Sequence, residues 1–146
     1  MSFKKAHIES LIIRTLNEYD PELATQAAIN LQLGTLAHES KFGRYLRQNG
    51  GPAIGIFQME PATFNWLIEV FAVKYPQLVG RKAEEMEWDL KLAIIMCRLR
   101  YRAVTAPIPD ANDLPAMAAY WKKFYNTVAG KGTEEEFIAA YKQYVA

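Results

Sequence analysis

The chain has 146 residues and a formal net charge of +1, which excludes the strong positive field of a nucleic-acid or anionic-membrane binding protein. Half of the residues are apolar, so the chain can bury a core, and residues 1–146 are interpreted as one domain. The single cysteine, Cys97, excludes a disulfide within the chain and is predicted to be a small buried apolar residue.

Helical spacing of apolar residues recurs along the chain and predicts about six helices with little sheet. The predicted helices cover residues 4–18, 21–40, 62–73, 83–103, 115–125 and 134–145. Residues 53–59 are compatible with a small strand or hairpin. Gly34 inside the second helix indicates close packing there. The sequence therefore predicts a mainly α fold with at most one small hairpin.

Residues that cap helices mark where several of these helices begin. Asp20 followed by Pro21 predicts the start of the second helix, and Asp113 predicts the start of the fifth. Thr133 with Glu136 three residues later forms a capping box for the last helix. The second helix is apolar on most of its sides, which indicates a buried, central position.

Two acidic residues frame a glycine-rich segment between the second and third predicted helices. Glu39 lies on the last turn of the second helix, close in sequence to Leu36, Ala37 and Phe42, and Glu60 follows 21 positions later. Cleavage of a glycosidic bond requires a carboxylic acid that still holds its proton, and apolar surroundings favour that neutral form. Glu39 is therefore a candidate general acid, although an acid at a helix end is more commonly a solvated surface residue.

Four short motifs, three around these acids and one late in the chain, bear on the role of the two acids. They are His-Glu-Ser at 38–40, Gly-Ile-Phe-Gln at 55–58, Pro-Ala-Thr at 61–63 and Tyr-Asn at 125–126. In this order they resemble the lytic transglycosylase and goose-type lysozyme group of the lysozyme superfamily, over about residues 23–126. The resemblance implies a lysozyme-like fold that acts on bacterial peptidoglycan. It also implies that Glu39 protonates the β-1,4 link between N-acetylmuramic acid and N-acetylglucosamine.

Position 60 separates two reactions within that group. Lytic transglycosylases usually carry Met there, whereas goose-type lysozymes carry an acid, which is thought to hold the attacking water. Glu60 therefore favours an inverting muramidase, and we expect the carboxyl groups of Glu39 and Glu60 to lie roughly 6.5–9.5 Å apart. A lytic transglycosylase that forms 1,6-anhydromuramic ends is the alternative. The structural interpretation of Glu60 is an acid that caps the helix opened by Pro61.

The matched motifs supply further residues for the substrate site. The resemblance implies that Gln58 faces the cleft or braces the loop after Glu39, and that the hydroxyl of Tyr125 approaches the acid. Ser40 would brace the same loop, and Asn126 would hold the turn after its helix or bind an acetamido group. Each also has an ordinary structural interpretation, such as a hairpin hydrogen bond for Gln58 or a helix C-cap for Asn126.

Aromatic side chains offer faces that stack on sugar rings. Six are candidates: Tyr45, Phe57, Trp66, Trp88, Tyr120 and Trp121. Most lie at helical spacing in apolar stripes, so core packing is the favoured interpretation for them. Tyr120 and Trp121 precede Tyr125 by about one turn and are the main exceptions, and Phe57 joins them in the predicted substrate-binding set.

Other classes of function have weaker support in the sequence. His7 and His38 lack the spacing of a metal site, and we expect no metal and no cofactor. The 83–103 helix carries both basic and acidic residues, and the net charge of the chain is near zero, which indicates a solvated face and no nucleic-acid partner. Arg44 and Arg47 on the glycine-rich loop, with Gln48, either contact peptide-stem carboxylates or are simply solvated. An inactive lysozyme-like part of a phage assembly is the non-enzymatic alternative.

The sequence shows neither a signal peptide nor the roughly 20 consecutive apolar residues of a membrane helix. We therefore expect a protein that is made in the cytoplasm and does not insert into membranes. To act on the cell wall or in the periplasm it would need another route, such as transport in a phage virion or delivery by a partner protein.

Overall fold

The computed structural model describes residues 1–127 and 129–146. In this part of the chain six α-helices are joined by loops and short helical turns, and there is no β-strand. The helices are α1 (Lys5–Tyr19), α2 (Gln26–Ser40), α3 (Pro61–Phe71), α4 (Leu90–Arg102), α5 (Leu114–Trp121) and α6 (Glu134–Tyr144). The predicted mainly α architecture is confirmed. None of the described helices is both long and apolar enough to cross a membrane.

Helix α2 lies at the centre of the molecule, as its apolar sequence predicts. Ten of its 15 residues are buried, and it packs against α1, α4, α5 and α6. Close approach of α6 requires Gly34, because a Cβ built there would lie 2.4 Å from Cζ of Phe137. The predicted burial of Cys97, on the neighbouring helix α4, is also confirmed.

The predicted start of α2 is wrong by several residues. The carboxylate of Asp20 caps only a short 3-10 turn, Pro21–Leu23. Ala24 then leaves helical geometry (φ −97°, ψ 43°), so the helix has to begin again. Thr25 provides the second cap, since its hydroxyl accepts a 3.2 Å hydrogen bond from a backbone N–H in the first turn of α2.

The helix predicted over 83–103 is divided into two. Residues Ala83–Glu87 form a 3-10 helix, and α4 starts after Asp89, whose carboxylate accepts a 3.0 Å hydrogen bond from the N–H of Leu92. This cap breaks a stripe of apolar residues that is continuous in the sequence. The predicted solvated basic face is also wrong for Arg98, which is buried with only 4% of its surface exposed.

Two further caps are confirmed. Asp113 caps α5 by accepting a 3.1 Å hydrogen bond from the N–H of Ala116. Thr133 and Glu136 exchange the two hydrogen bonds of a capping box at the start of α6, at 3.0 and 3.1 Å. Helix α5 is shorter than predicted and continues as one turn of π-helix, Lys122–Asn126. A π-turn of this kind is frequent at functional sites.

The loop between α2 and α3 is compact although it contains no strand. Ser40 is fully buried, and its hydroxyl accepts a 2.9 Å hydrogen bond from the N–H of Gly43. Ile54 forms isolated antiparallel bridges with Arg47 and with Met59. The small hairpin predicted for 53–59 is present as a single bridged pair, because Ile54 and Met59 exchange two backbone hydrogen bonds but no strand extends from them.

Candidate functional site

A cavity of about 510 Å³ opens beside the C-terminal end of α2. Six of its wall residues were singled out from the sequence: Glu39, Gln48, Gln58, Glu60, Tyr125 and Asn126. They come from α2, from the loop that follows it, from the residue before α3 and from the π-turn after α5. The fold therefore brings together motifs that lie far apart in the chain, and we refer to this space as the Glu39 cavity.

Glu39 is held by two aromatic neighbours. Its Oε2 accepts a 3.1 Å hydrogen bond from the indole Nε1 of Trp121 and lies 3.3 Å from Nδ1 of His38. Only 14% of its side-chain surface is exposed. Both contacts are made to Oε2, so among the described residues Oε1 is the oxygen left to meet a ligand in the cavity.

The position of Trp121 is fixed by packing. The side chain is fully buried, its ring stacks on Phe137 of α6 at a centroid distance of 5.2 Å, and the ring of His38 lies 4.4 Å away. The sequence predicted that this side chain would contact a sugar, and its burial excludes that role. Its contribution is instead the hydrogen bond to Glu39, a role that sequence spacing does not reveal.

Burial corrects several of the aromatic predictions. Three side chains assigned to substrate are buried, namely Phe57 (2% exposed), Tyr120 (6%) and Trp121 (0%). Three assigned to the core are substantially exposed, namely Tyr45 (43%), Trp66 (46%) and Trp88 (67%). A stripe at helical spacing shows that side chains share a face, but it does not show whether that face meets another element.

Tyr125 connects the π-turn to the segment before α3. Its hydroxyl donates a 2.8 Å hydrogen bond to the backbone carbonyl of Phe57. The resemblance implied that this hydroxyl approaches Glu39; both residues line the cavity, but no hydrogen bond joins them. Burial raises the pKa of Tyr125 well above its usual value, and the charge of Glu39 acts in the same direction. The hydroxyl therefore stays protonated at neutral pH and remains a donor, which ties two walls of the cavity together.

Gln58 and Ser40 act on the loop in different ways. Gln58 lines the cavity, and its Nε2 donates a 2.8 Å hydrogen bond to the carbonyl of Gly55, so the cleft-facing position and the hairpin hydrogen bond both occur. Ser40 is buried beneath the loop that it braces. Its assignment to the substrate-binding set is therefore corrected to a structural role.

Glu60 occupies the N-cap position of α3 but does not cap the helix through its side chain. The residue is exposed and makes no side-chain capping hydrogen bond. It lines the Glu39 cavity and also a smaller adjoining cavity of about 120 Å³ that reaches Thr63 and Arg100. Its carboxylate is thus available to a ligand or a water molecule in the cavity.

Lys122 is a contributor that the sequence analysis missed. Its Nζ donates to Oδ1 of Asn126 at 2.7 Å and to the carbonyl of Gly130 at 3.0 Å. These bonds hold the 129–132 segment in place as one wall of the cavity. Asn126 therefore stabilises the turn after its helix, which was one of its two predicted roles. The spacing of four residues between Lys122 and Asn126 was the available signal.

The polar residues of the glycine-rich loop do not act as a group. Gln48 lines the cavity while its Oε1 accepts a 3.1 Å hydrogen bond from the N–H of Ala53. Arg47 forms an exposed ion pair with Glu87, and Arg44 lines a separate groove between α2 and α6. In the described parts of the chain, no three His, Cys, Asp or Glu side chains come together in a way that could hold a metal ion.

Comparison of the chain with family models, with curated proteins and with solved structures finds no match. The case for a function therefore rests on the motifs and on the geometry of the Glu39 cavity.

Proposed function

We propose that this chain is a peptidoglycan glycosidase of lysozyme-like fold that hydrolyses the β-1,4 bond between N-acetylmuramic acid and N-acetylglucosamine. The observation that carries the proposal is the shared cavity of Glu39 and Glu60. One of these acids is largely buried and hydrogen-bonded, and the other is exposed. Two carboxyl groups in such different environments suit the two roles that an inverting glycosidase requires.

In the proposed reaction Glu39 is the general acid. Oε1 gives its proton to the glycosidic oxygen as the bond to the leaving sugar breaks, while Oε2 keeps its hydrogen bond to Trp121. The indole N–H then stabilises the carboxylate that has formed. Glu60 accepts a proton from a water molecule that attacks the anomeric carbon from the opposite face, so the configuration inverts.

A lytic transglycosylase is the second candidate, and the exposure of Glu60 favours it. An exposed carboxylate is less well positioned to direct a water molecule than one fixed by hydrogen bonds. In that reaction the C6 hydroxyl of the muramic acid closes on the anomeric carbon. Glu39 then acts first as acid and afterwards as base, and no second carboxylate is needed.

Mass spectrometry of the fragments released from purified sacculi distinguishes these proposals. Hydrolysis gives muropeptides with reducing ends, which is the result we expect. Fragments with 1,6-anhydromuramic ends would assign the chain to the transglycosylases. If no fragment is released by folded protein, the enzymatic proposal is wrong, and an inactive structural component of an assembly replaces it.

A further inference from the structure

A second cavity, of about 420 Å³, lies between the 3-10 turn before α2, helix α4 and the loop that follows α4. Its polar and charged wall residues include Glu22, Thr25, Arg98, Arg102 and Thr105. Among the described residues it shares no wall residue with the Glu39 cavity. Its volume lies within the range that small-molecule sites occupy. We refer to it as the Arg98 cavity.

Arg98 is the unusual residue of this cavity. It is 4% exposed, and its Nε donates a 2.9 Å hydrogen bond to the carbonyl of Leu23. Its Nη1 is buried and has no hydrogen-bond partner in the described part of the chain. Buried guanidinium groups are normally paired with an acid or fully hydrogen-bonded, because an unsatisfied charged donor is costly to bury.

The surrounding charges do not neutralise Arg98. Burial lowers the pKa of Arg98, and the positive charge of Arg102, one helical turn later, lowers it further. Glu22 is the carboxylate on the cavity wall; it is exposed and forms no ion pair with either arginine in the residues that the structure describes. The wall therefore carries two guanidinium groups without a bound counter-charge.

We propose that the Arg98 cavity binds a small oxyanion, either the carboxylate or the phosphate group of a small molecule. An oxyanion beside the guanidinium would supply the counter-charge that Arg98 lacks among the described residues. Arg102 supplies a second positive charge, and the hydroxyl of Thr105 a further donor. Pro107 and Ile108 line the same cavity and offer apolar contact to the remainder of the ligand.

The test is an NMR titration of the whole chain with sodium phosphate and, separately, with sodium acetate. Sodium chloride at matched ionic strength is the reference. We expect saturable shifts of the Arg98 Nε–H and of the Thr105 and Ile108 amides with at least one of the two oxyanions. A response to phosphate alone identifies a phosphate-bearing ligand, and a response to acetate identifies a carboxylate.

Three variants make the titration specific. Arg102→Gln should raise the dissociation constant by about tenfold, which is the effect expected from the loss of one charge-assisted hydrogen bond. Glu22→Gln should strengthen it, because a repelling carboxylate is removed. Arg14→Gln removes the same charge from the exposed face of α1 and should leave binding unchanged. If chloride gives the same shifts, if neither oxyanion saturates, or if Arg102→Gln and Arg14→Gln have equal effects, the cavity is not an oxyanion site.

Discussion

The indole of Trp121 donates a hydrogen bond to Oε2 of Glu39 across 3.1 Å, although 82 positions separate the two residues in the chain. Trp121 cannot move easily, because it is fully buried and stacks on Phe137. The contact therefore restricts the orientation of the carboxyl group and leaves Oε1 without a hydrogen-bond partner among the described residues. The packing of α5 on α6 is in this way linked to the geometry of the proposed acid.

Replacement Trp121→Phe should slow wall cleavage about tenfold, since one hydrogen bond to a reacting carboxyl is lost while an aromatic ring is kept. Cleavage rates on purified sacculi measure the effect, with unfolding curves to confirm the fold. Tyr120→Phe is the matched control, because it also keeps an aromatic ring and removes one hydrogen bond. The bond that it removes runs 2.8 Å from the Tyr120 hydroxyl to the carbonyl of Ala106 and does not involve Glu39. Equal rates in the two variants would show that the indole does not position Glu39.

Replacement Glu60→Gln should reduce hydrolysis by at least about a hundredfold while the free energy of unfolding changes by less than about 1 kcal/mol. The small effect on stability is expected because the exposed side chain makes no capping hydrogen bond. Kinetic assays and denaturant unfolding measure both quantities. Full activity would leave Glu60 without a catalytic role, whereas a large loss of stability would indicate a structural one.

The caps of the later helices could be predicted because their signals are local. Asp113, Thr133 and Glu136 bond with backbone groups only three residues away, and all three were identified from the sequence. The cap at Asp89 was missed because an apolar stripe continues across it and because other acids precede it. At that position the apolar periodicity predicts a continuous helix, whereas Asp89 favours a helix start, and the structure has the helix start.

Part of the candidate site could also be predicted, because some of its residues lie in local sequence motifs. Glu39 and Gln58 belong to short motifs, Glu60 lies directly before another, and the structure places all three around one cavity. The roles of Trp121 and of the Phe57 carbonyl depend on contacts across the fold. No spacing in the sequence encodes which atom of a buried aromatic residue faces an acid, so these roles required the structure.

The raised pKa of Tyr125 predicts that the protein loses stability at high pH. Its folded-state pKa is raised well above the usual value near 10, so the unfolded state loses the proton first as the pH rises. The contribution of Tyr125 to stability is therefore constant well below pH 10 and falls as the pH rises above about 10, by up to roughly 1.4 kcal/mol per pH unit. In Tyr125→Phe that part of the slope should disappear, although loss of the bond to Phe57 costs about 1 kcal/mol at neutral pH. Denaturant unfolding from pH 8 to 11 measures both effects, and parallel curves for the two proteins would contradict the assignment.

The close contact between Gly34 and Phe137 predicts that substitutions on α2 and α6 affect stability in a coupled way. In Gly34→Ala the new Cβ meets the ring tip of Phe137, and we expect a loss of about 1–3 kcal/mol from overpacking, despite the better helix propensity of alanine. Phe137→Leu, which shortens the side chain, should relieve the clash. In a double-mutant cycle the pair should then be less destabilising than the sum of the single changes. Strict additivity would show that the two residues do not meet.

The most direct test of the central claim compares muropeptide release from purified sacculi by the wild-type chain and by Glu39→Gln. The amide keeps the shape of the side chain and can still accept the hydrogen bond from Trp121, but it cannot give a proton to the glycosidic oxygen. Glu69→Gln, on an exposed position of α3, is the control for the change of charge. We predict that Glu39→Gln folds normally and releases no fragments, while Glu69→Gln cleaves at the wild-type rate. Cleavage by Glu39→Gln at the wild-type rate would contradict the proposal that Glu39 is the proton donor.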